Sequence, residues 1–178
     1  MNLGESTTHI FYFAYGSNMS VPRLQARIPS ARFYCSAVLP GYQLRFHKKG
    51  ADGSAKCDVV ETGMPGHEVH GVVFEFDLRH KPILDRYEGP RYRDKRVPVK
   101  TATGESLEVF LYEVGDKQAY TDPRLQPFDW YKQHVLQGAR AAKLPEDYIQ
   151  ESILSVSTRE DPDPKRERRE LSIYPPDP

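Results

Sequence analysis

Cysteine is scarce in this chain: Cys35 and Cys57 are the only two. A disulfide scaffold in a domain of this size would need more, so both read as free thiols. Long apolar runs are missing as well. The most apolar early stretch, Ile10-Phe11-Tyr12-Phe13-Ala14-Tyr15, is far too short to span a bilayer. No basic region precedes it and no small-residue cleavage site follows it. It therefore does not read as a secretion signal, and a cytoplasmic location is expected. Nor does charge of one sign dominate, since 25 Lys plus Arg balance 25 Asp plus Glu. That balance supplies no global attraction to nucleic acid or to an anionic membrane. Internal repeats, coiled-coil heptads and phosphate-binding glycine motifs are absent too.

What is present suits one compact domain. The chain has 178 residues, 38% of them apolar and 11% aromatic, which is enough for a core rich in strand-forming Tyr and Phe. Residues 1–8 are polar and read as loose. Residues 10–15 form a short buried strand ended by Gly16. Gly16-Ser17-Asn18 is a turn signal, and Ser20 caps a short helix to about Arg27. Residues 32–47 carry strand pieces broken at Pro40-Gly41. Residues 48–55 are a Lys, Gly, Asp and Ser loop, and 57–61 a short strand. Residues 69–76 are the clearest central strand. There Val72, Phe74 and Phe76 share a face, and Gly71 permits close backbone approach.

Asp77 caps a helix through Tyr87, with Ile83, Leu84 and Tyr87 on its apolar side. Glu88-Gly89-Pro90 ends it, since Gly89 can take positive φ and Pro90 cannot continue a helix. Residues 92–100 and 106–114 pair as a hairpin across Thr103-Gly104-Glu105. Residues 128–143 make the best helix, with Phe128, Tyr131, Val135, Leu136 and Ala139 at helical spacing. A shorter helix follows Pro145 and stops after Ile149. From Ser157 onward the chain is charged and proline-rich with little to bury. The reading is a domain over residues 1–156 and a solvated or loosely packed extension over 157–178. The fold class is mixed alpha+beta, one mixed sheet with packed helices.

Two features could carry chemistry. In the first, a strand delivers Tyr15-Gly16-Ser17-Asn18 to the start of the expected helix, where a glycine turn exposes successive backbone amides. In the second, Glu88 stands at a helix C-terminus, where the dipole disfavours an acidic residue. A carboxylate in such a place has a solvent reason or a functional one, and the functional one is proton transfer.

The blocks around these two features carry a family resemblance. Phe11-Tyr12-Phe13-Ala14-Tyr15-Gly16-Ser17-Asn18-Met19 resembles the opening of the gamma-glutamylcyclotransferase family. The likeness continues through Val69-His70-Gly71-Val72-Val73-Phe74 and Leu84-Asp85-Arg86-Tyr87-Glu88-Gly89. It resumes at Tyr92, Val109-Phe110-Leu111-Tyr112, and Tyr131 with Gly138-Ala139. The blocks are collinear over about residues 10–150 and look closest to the compact, glutathione-pathway type. The resemblance implies a small beta-barrel-like mixed sheet with packed helices, and neither metal nor cofactor. It maps the essential glutamate to Glu88. It also implies that Tyr15, Gly16, Ser17 and Asn18 hold a gamma-glutamyl group, with Tyr92 and Tyr131 as pocket tyrosines. The chain departs from the family in its longer charged C-terminus and in Tyr87 directly before the glutamate.

The implied reaction releases 5-oxoproline and a free amine from a small-molecule gamma-glutamyl substrate. The leaving amine stays open between an amino acid or peptide and a specialised amine or metabolite, as does a binding module without turnover. No nucleic-acid or membrane partner is expected, and a homodimer stays open. Rival chemistries have less behind them. His67 and His70 form no recognised metal spacing. Cys35 and Cys57 have no paired histidine. Ser17 lacks the glycine-flanked nucleophile elbow and a base.

Overall fold

The computed structural model describes residues 8–176. The loose segment read at residues 1–8 lies outside them apart from Thr8, as do the last two residues of the extension. Strands β1 (His9–Ala14), β2 (Arg32–Pro40), β3 (Tyr42–Lys49), β4 (Ala55–Glu61), β5 (Glu68–Asp77), β6 (Tyr92–Thr101) and β7 (Ser106–Val114) are accompanied by six helices. These are α1 (Val21–Arg27), α2 (Lys81–Glu88), α3 (Lys117–Tyr120), α4 (Asp129–Ala141), α5 (Glu146–Tyr148) and α6 (Pro164–Leu171). No helix among the described residues is long and apolar enough to cross a membrane.

Five strands close into a barrel in the order β1-β5-β2-β6-β7. β5 lies antiparallel to β1 on one side and to β2 on the other. The β6–β7 hairpin joins through Ala37 opposite Thr101, and the ring closes where β7 meets β1 in parallel, Phe110 opposite Tyr12. Closure leaves the five strands without a free edge. The core is aromatic: Tyr12, Phe76, Phe110 and Tyr112 interlock with ring centroids 5.2–6.3 Å apart. Val72, Val73, Phe74 and Phe76 are all fully buried, so β5 is covered on both faces and not on one.

β3 and β4 form a separate two-stranded sheet, longer than the pieces read from sequence. Fully buried Asp58 ties it to the barrel. Its carboxylate accepts the Val114 amide at 2.8 Å and the Lys117 ammonium at 2.8 Å. Together with the neighbouring His47, these bonds hold the Asp58 pKa below the ordinary value against the opposing effect of burial.

Three expectations change. Tyr87 is exposed and not part of the buried side of α2, and the Arg27 guanidinium lies over its ring, 5.0 Å from the centroid. The chain after Pro145 does not stop at Ile149; it runs on as a π-helical turn, Ile149–Leu154, which places Ile149 and Ile153 in the core. The stretch after Ser157 is not loosely packed. Trp130 donates to Asp161 at 2.7 Å, Arg166 pairs with Asp161 at 2.5 Å, and Glu170 pairs with Arg23 at 2.5 Å. The Tyr174 hydroxyl lies 2.7 Å from both Ser20 Oγ and His134 Nδ1. Few apolar residues are needed when ion pairs and one tyrosine make the attachment.

Candidate active site

Two glycines shape the turn after β1. A Cβ on Gly71 would lie 2.5 Å from the Ala14 carbonyl oxygen, so only glycine lets β5 approach β1 where the chain leaves the barrel. A Cβ on Gly138 would lie 2.4 Å from the Met19 carbonyl carbon and 2.5 Å from the Ser20 nitrogen. Its absence seats α4 directly on the single 3-10 turn Ser17–Met19. The first internal bond of that turn is Met19 N–H to Gly16 O at 3.0 Å, and the amides of Ser17 and Asn18 stand ahead of it. Ser20 does cap α1, but through its carbonyl, which accepts the Leu24 amide at 2.9 Å, since its hydroxyl is turned to Tyr174.

Glu88 arrives from the opposite side. Asp77 caps a short 3-10 turn by accepting the Arg79 amide, and α2 follows with Leu84 fully buried. Gly89 ends the helix at φ +79°, its amide donating to Asp85 O at 2.9 Å. The chain then turns into β6, so Glu88 and Tyr92 flank one opening. The Glu88 side chain is 15% exposed. Asn18 Nδ2 donates to Glu88 Oε1 at 2.7 Å, and Arg27 Nη1 stands 3.5 Å from the same oxygen while donating to Asn18 Oδ1 at 3.2 Å. Asn18, itself buried, thus links the turn to the carboxylate, and Arg27 holds Asn18 in its orientation.

All seven residues singled out from the sequence line one recess of about 30 Å³: Tyr15, Gly16, Ser17, Asn18, Glu88, Tyr92 and Tyr131. The three tyrosines differ in what their hydroxyls can still do. Tyr15 donates to the Tyr112 carbonyl, and Tyr92 donates to the Cys57 carbonyl at 2.5 Å. Tyr131 instead accepts the Cys57 amide at 2.9 Å and keeps its own proton to donate. Burial raises the pKa of all three. Cys57, Tyr12 and Tyr112 also line the recess and escaped the sequence reading. The Tyr12 hydroxyl lies 3.2 Å from Asn18 Nδ2, and only the side-chain alternation of β1 could have pointed to it. Burial pushes the Cys57 thiol up to about 12, so it is not a ready nucleophile at neutral pH.

The recess opens into a wider chamber of about 540 Å³ that shares Ser17, Glu88, Tyr92 and Tyr131 with it. The chamber wall is rich in cations, contributed by α1, the β3–β4 hairpin, the start of β6 and α6. A larger groove of about 950 Å³ runs beside β3 and α5 and holds none of the seven. His67 and His70 line that groove, bonded to Thr62 and Gln43 and to Glu68 respectively. No group of three or more His, Cys, Asp or Glu among the described residues is placed to hold a metal ion.

Comparison with known proteins finds relatives over most of the chain. A model of the AIG2-like family matches residues 68–151. Bovine gamma-glutamylcyclotransferase is 32% identical over 82% of this chain and 76% of its own length. The human gamma-glutamylcyclotransferase is 30% identical over 86% and 81%. A solved structure of a gamma-glutamyl cyclotransferase superposes with a TM-score of 0.80 at 26% identity, covering 93% of this chain and 99% of the other.

Proposed function

We infer, since this chain belongs to the gamma-glutamylcyclotransferase family, that it cleaves gamma-glutamyl amide bonds by closing the glutamyl part into 5-oxoproline. The observation that carries this reading is the Glu88 carboxylate, held by Asn18 of the Tyr15–Asn18 turn where the recess opens into the wider chamber.

In this reading the substrate brings its own nucleophile. The glutamyl α-amine gives a proton to Glu88, and its nitrogen attacks the γ-carbonyl carbon. A five-membered ring forms. The bond from that carbon to the leaving nitrogen then breaks, and Glu88 returns the proton to that nitrogen. One carboxyl group thus serves as base and then as acid, and no water is consumed. The walls of the recess and of the chamber it opens into hold the substrate bent, which removes part of the entropy of ring closure. The Ser17 and Asn18 end of the turn, with the Tyr131 hydroxyl, supplies hydrogen-bond donors to the glutamyl oxygens. These steps call on no metal or cofactor.

The test is product release from a panel of gamma-glutamyl dipeptides and gamma-glutamyl amines. Equimolar 5-oxoproline and free amine are expected from at least one member. Release of glutamate in place of 5-oxoproline would replace cyclisation by hydrolysis, and folded protein that releases nothing across the panel would remove the reading.

A further inference from the structure

Arg27 is the last residue of α1, and groups from three places in the chain meet its guanidinium. The exposed Tyr87 ring of α2 lies over it, 5.0 Å from centroid to Cζ. Asn18 Oδ1 accepts from its Nη1 at 3.2 Å, and Glu88 Oε1 stands 3.5 Å from the same nitrogen. Among the described residues Arg27 is the one cation within 4 Å of Glu88. Burial and the Arg23 charge both lower the Arg27 pKa, and the Glu88 charge opposes them. A guanidinium stays ionised even so. The site therefore carries a fixed positive charge beside its proton carrier.

The two oxygens of Glu88 have different surroundings. Asn18 Nδ2 donates to Oε1 at 2.7 Å, and Arg27 approaches that same oxygen. Among the described residues no hydrogen bond reaches Oε2. Oε1 is thus committed to the protein, and Oε2 keeps its lone pairs for a substrate proton. Nothing else nearby duplicates the Arg27 charge at this range. Lys48 of β3 interacts with Glu88 electrostatically without pairing to it, and Arg91, ahead of β6, donates to the Lys49 carbonyl. Tyr12, Tyr15, Tyr92, Tyr112, Tyr131 and Cys57 are neutral at working pH, because burial raises the pKa of each.

We propose that Arg27 is a positioning residue for the reaction: through Asn18 and by its own charge it fixes Glu88 Oε1, so that Oε2 is the atom that takes the proton from the glutamyl α-amine and returns it to the leaving nitrogen. This rests on the cyclotransferase reading. The proton moves from the α-amine to Oε2, and from Oε2 to the leaving nitrogen as its bond to the γ-carbon breaks. Arg27 gives up no proton. Its charge loosens the hold of the carboxyl group on the proton, which favours the return step.

The experiment measures kcat and KM for 5-oxoproline release across pH, using the gamma-glutamyl dipeptide that wild type turns over fastest. Wild type, Arg27→Gln and Arg27→Lys are compared, each beside a thermal melt. In Arg27→Gln the acid limb of kcat/KM is expected about 1 pH unit higher, the lower end of the shift that loss of a close opposite charge produces. Above that limb kcat should fall roughly 10-fold or more with KM moved less than about 3-fold, as for a misplaced proton carrier. Arg27→Lys keeps the charge and loses the planar fork, so its limb should stay within about 0.3 unit of wild type. An unmoved limb in folded Arg27→Gln overturns the proposal, whatever the rate, since a merely structural arginine would scale the profile without displacing it. A limb displaced as far in Arg27→Lys as in Arg27→Gln overturns it too, because charge would then not be the agent. Where Arg27→Gln does not fold, Tyr87→Ala takes its place, removing only the ring over the guanidinium. A limb raised by about 0.3 unit or more is then expected, and an unmoved one overturns the proposal. If wild type makes no 5-oxoproline from any dipeptide, the cyclotransferase reading itself falls, and this role with it.

Discussion

Glu88→Gln isolates proton transfer from shape. Glutamine keeps the length of the side chain and an oxygen that can accept from Asn18 Nδ2, the 2.7 Å bond that ties the turn to α2. What disappears is the capacity to take up and return a proton, together with the negative charge 3.5 Å from Arg27. General acid–base catalysis contributes about 10²- to 10⁴-fold, which corresponds to about 2.7–5.4 kcal/mol in the barrel-mouth transition state. The expected change is therefore a fall in kcat of at least about 100-fold with KM moved only a few-fold. Stability should barely respond. Arg27 retains its bond to Asn18 Oδ1, and a partly exposed ion pair is worth about 1 kcal/mol or less. At this chain length that is a melting shift of no more than about 4 °C. The assay is initial-rate 5-oxoproline formation over a range of substrate, beside a thermal melt. A folded Glu88→Gln enzyme with kcat within about 3-fold of wild type would refute the reasoning.

Further outcomes follow from other parts of the molecule. Gly138→Ala drives a methyl group into the Met19 and Ser20 backbone; a loss of about 1–3 kcal/mol, or roughly 3–10 °C in melting temperature, is expected with reduced turnover, and an unchanged melt would mean that α4 does not need this contact. The neighbouring His134, 3.6 Å away, and the Arg23 guanidinium, bonded at 2.5 Å, hold the Glu170 carboxyl down to about 2 against an ordinary 4.5. A depressed acid contributes stability above its unfolded pKa that is lost as pH falls through the folded one. Glu170→Gln should therefore melt below wild type at pH 7, with the gap closing between pH 4.5 and about 2; a constant gap across that window contradicts the ion pair. Chelation with EDTA should leave turnover unchanged, and loss restored by a divalent ion would overturn the metal-free steps.

The parts of the site legible in the sequence are those written in local chemistry. An apolar aromatic run broken by Gly16 announces a strand and its turn, and Glu88-Gly89-Pro90 announces a helix that must stop at an acid. Helix periodicity gives α4, and Tyr131 with it. Strand partners are different, because alternation marks a strand without saying what lies beside it. The parallel meeting of Tyr12 with Phe110, and hence the barrel's closure, has no local signature. The cationic chamber escaped for a related reason. Lys48 opens a stretch, residues 48–55, whose composition reads as a loop, and Lys56 follows it; Lys48 instead closes β3, Lys56 lies in β4, and the tertiary fold turns both lysines inward. The C-terminal segment was misread because hydropathy registers neither the Asp161–Arg166 and Arg23–Glu170 pairs nor the bonds of a single tyrosine hydroxyl.

The reach of these attachments sets an order of events for the newly made chain. The barrel cannot close until β7 is available to meet β1, and the bond from Ser20 to Tyr174 spans 154 residues. Contacts between such distant positions are slow to form, because the intervening chain must first be ordered. The recess draws on β1, β4, α2, β6 and α4 at once, so no early fragment contains it. During refolding from denaturant, tyrosine and tryptophan signals from local collapse should therefore recover ahead of activity, and activity should return only with the last docking step, the seating of Tyr174 between Ser20 and His134.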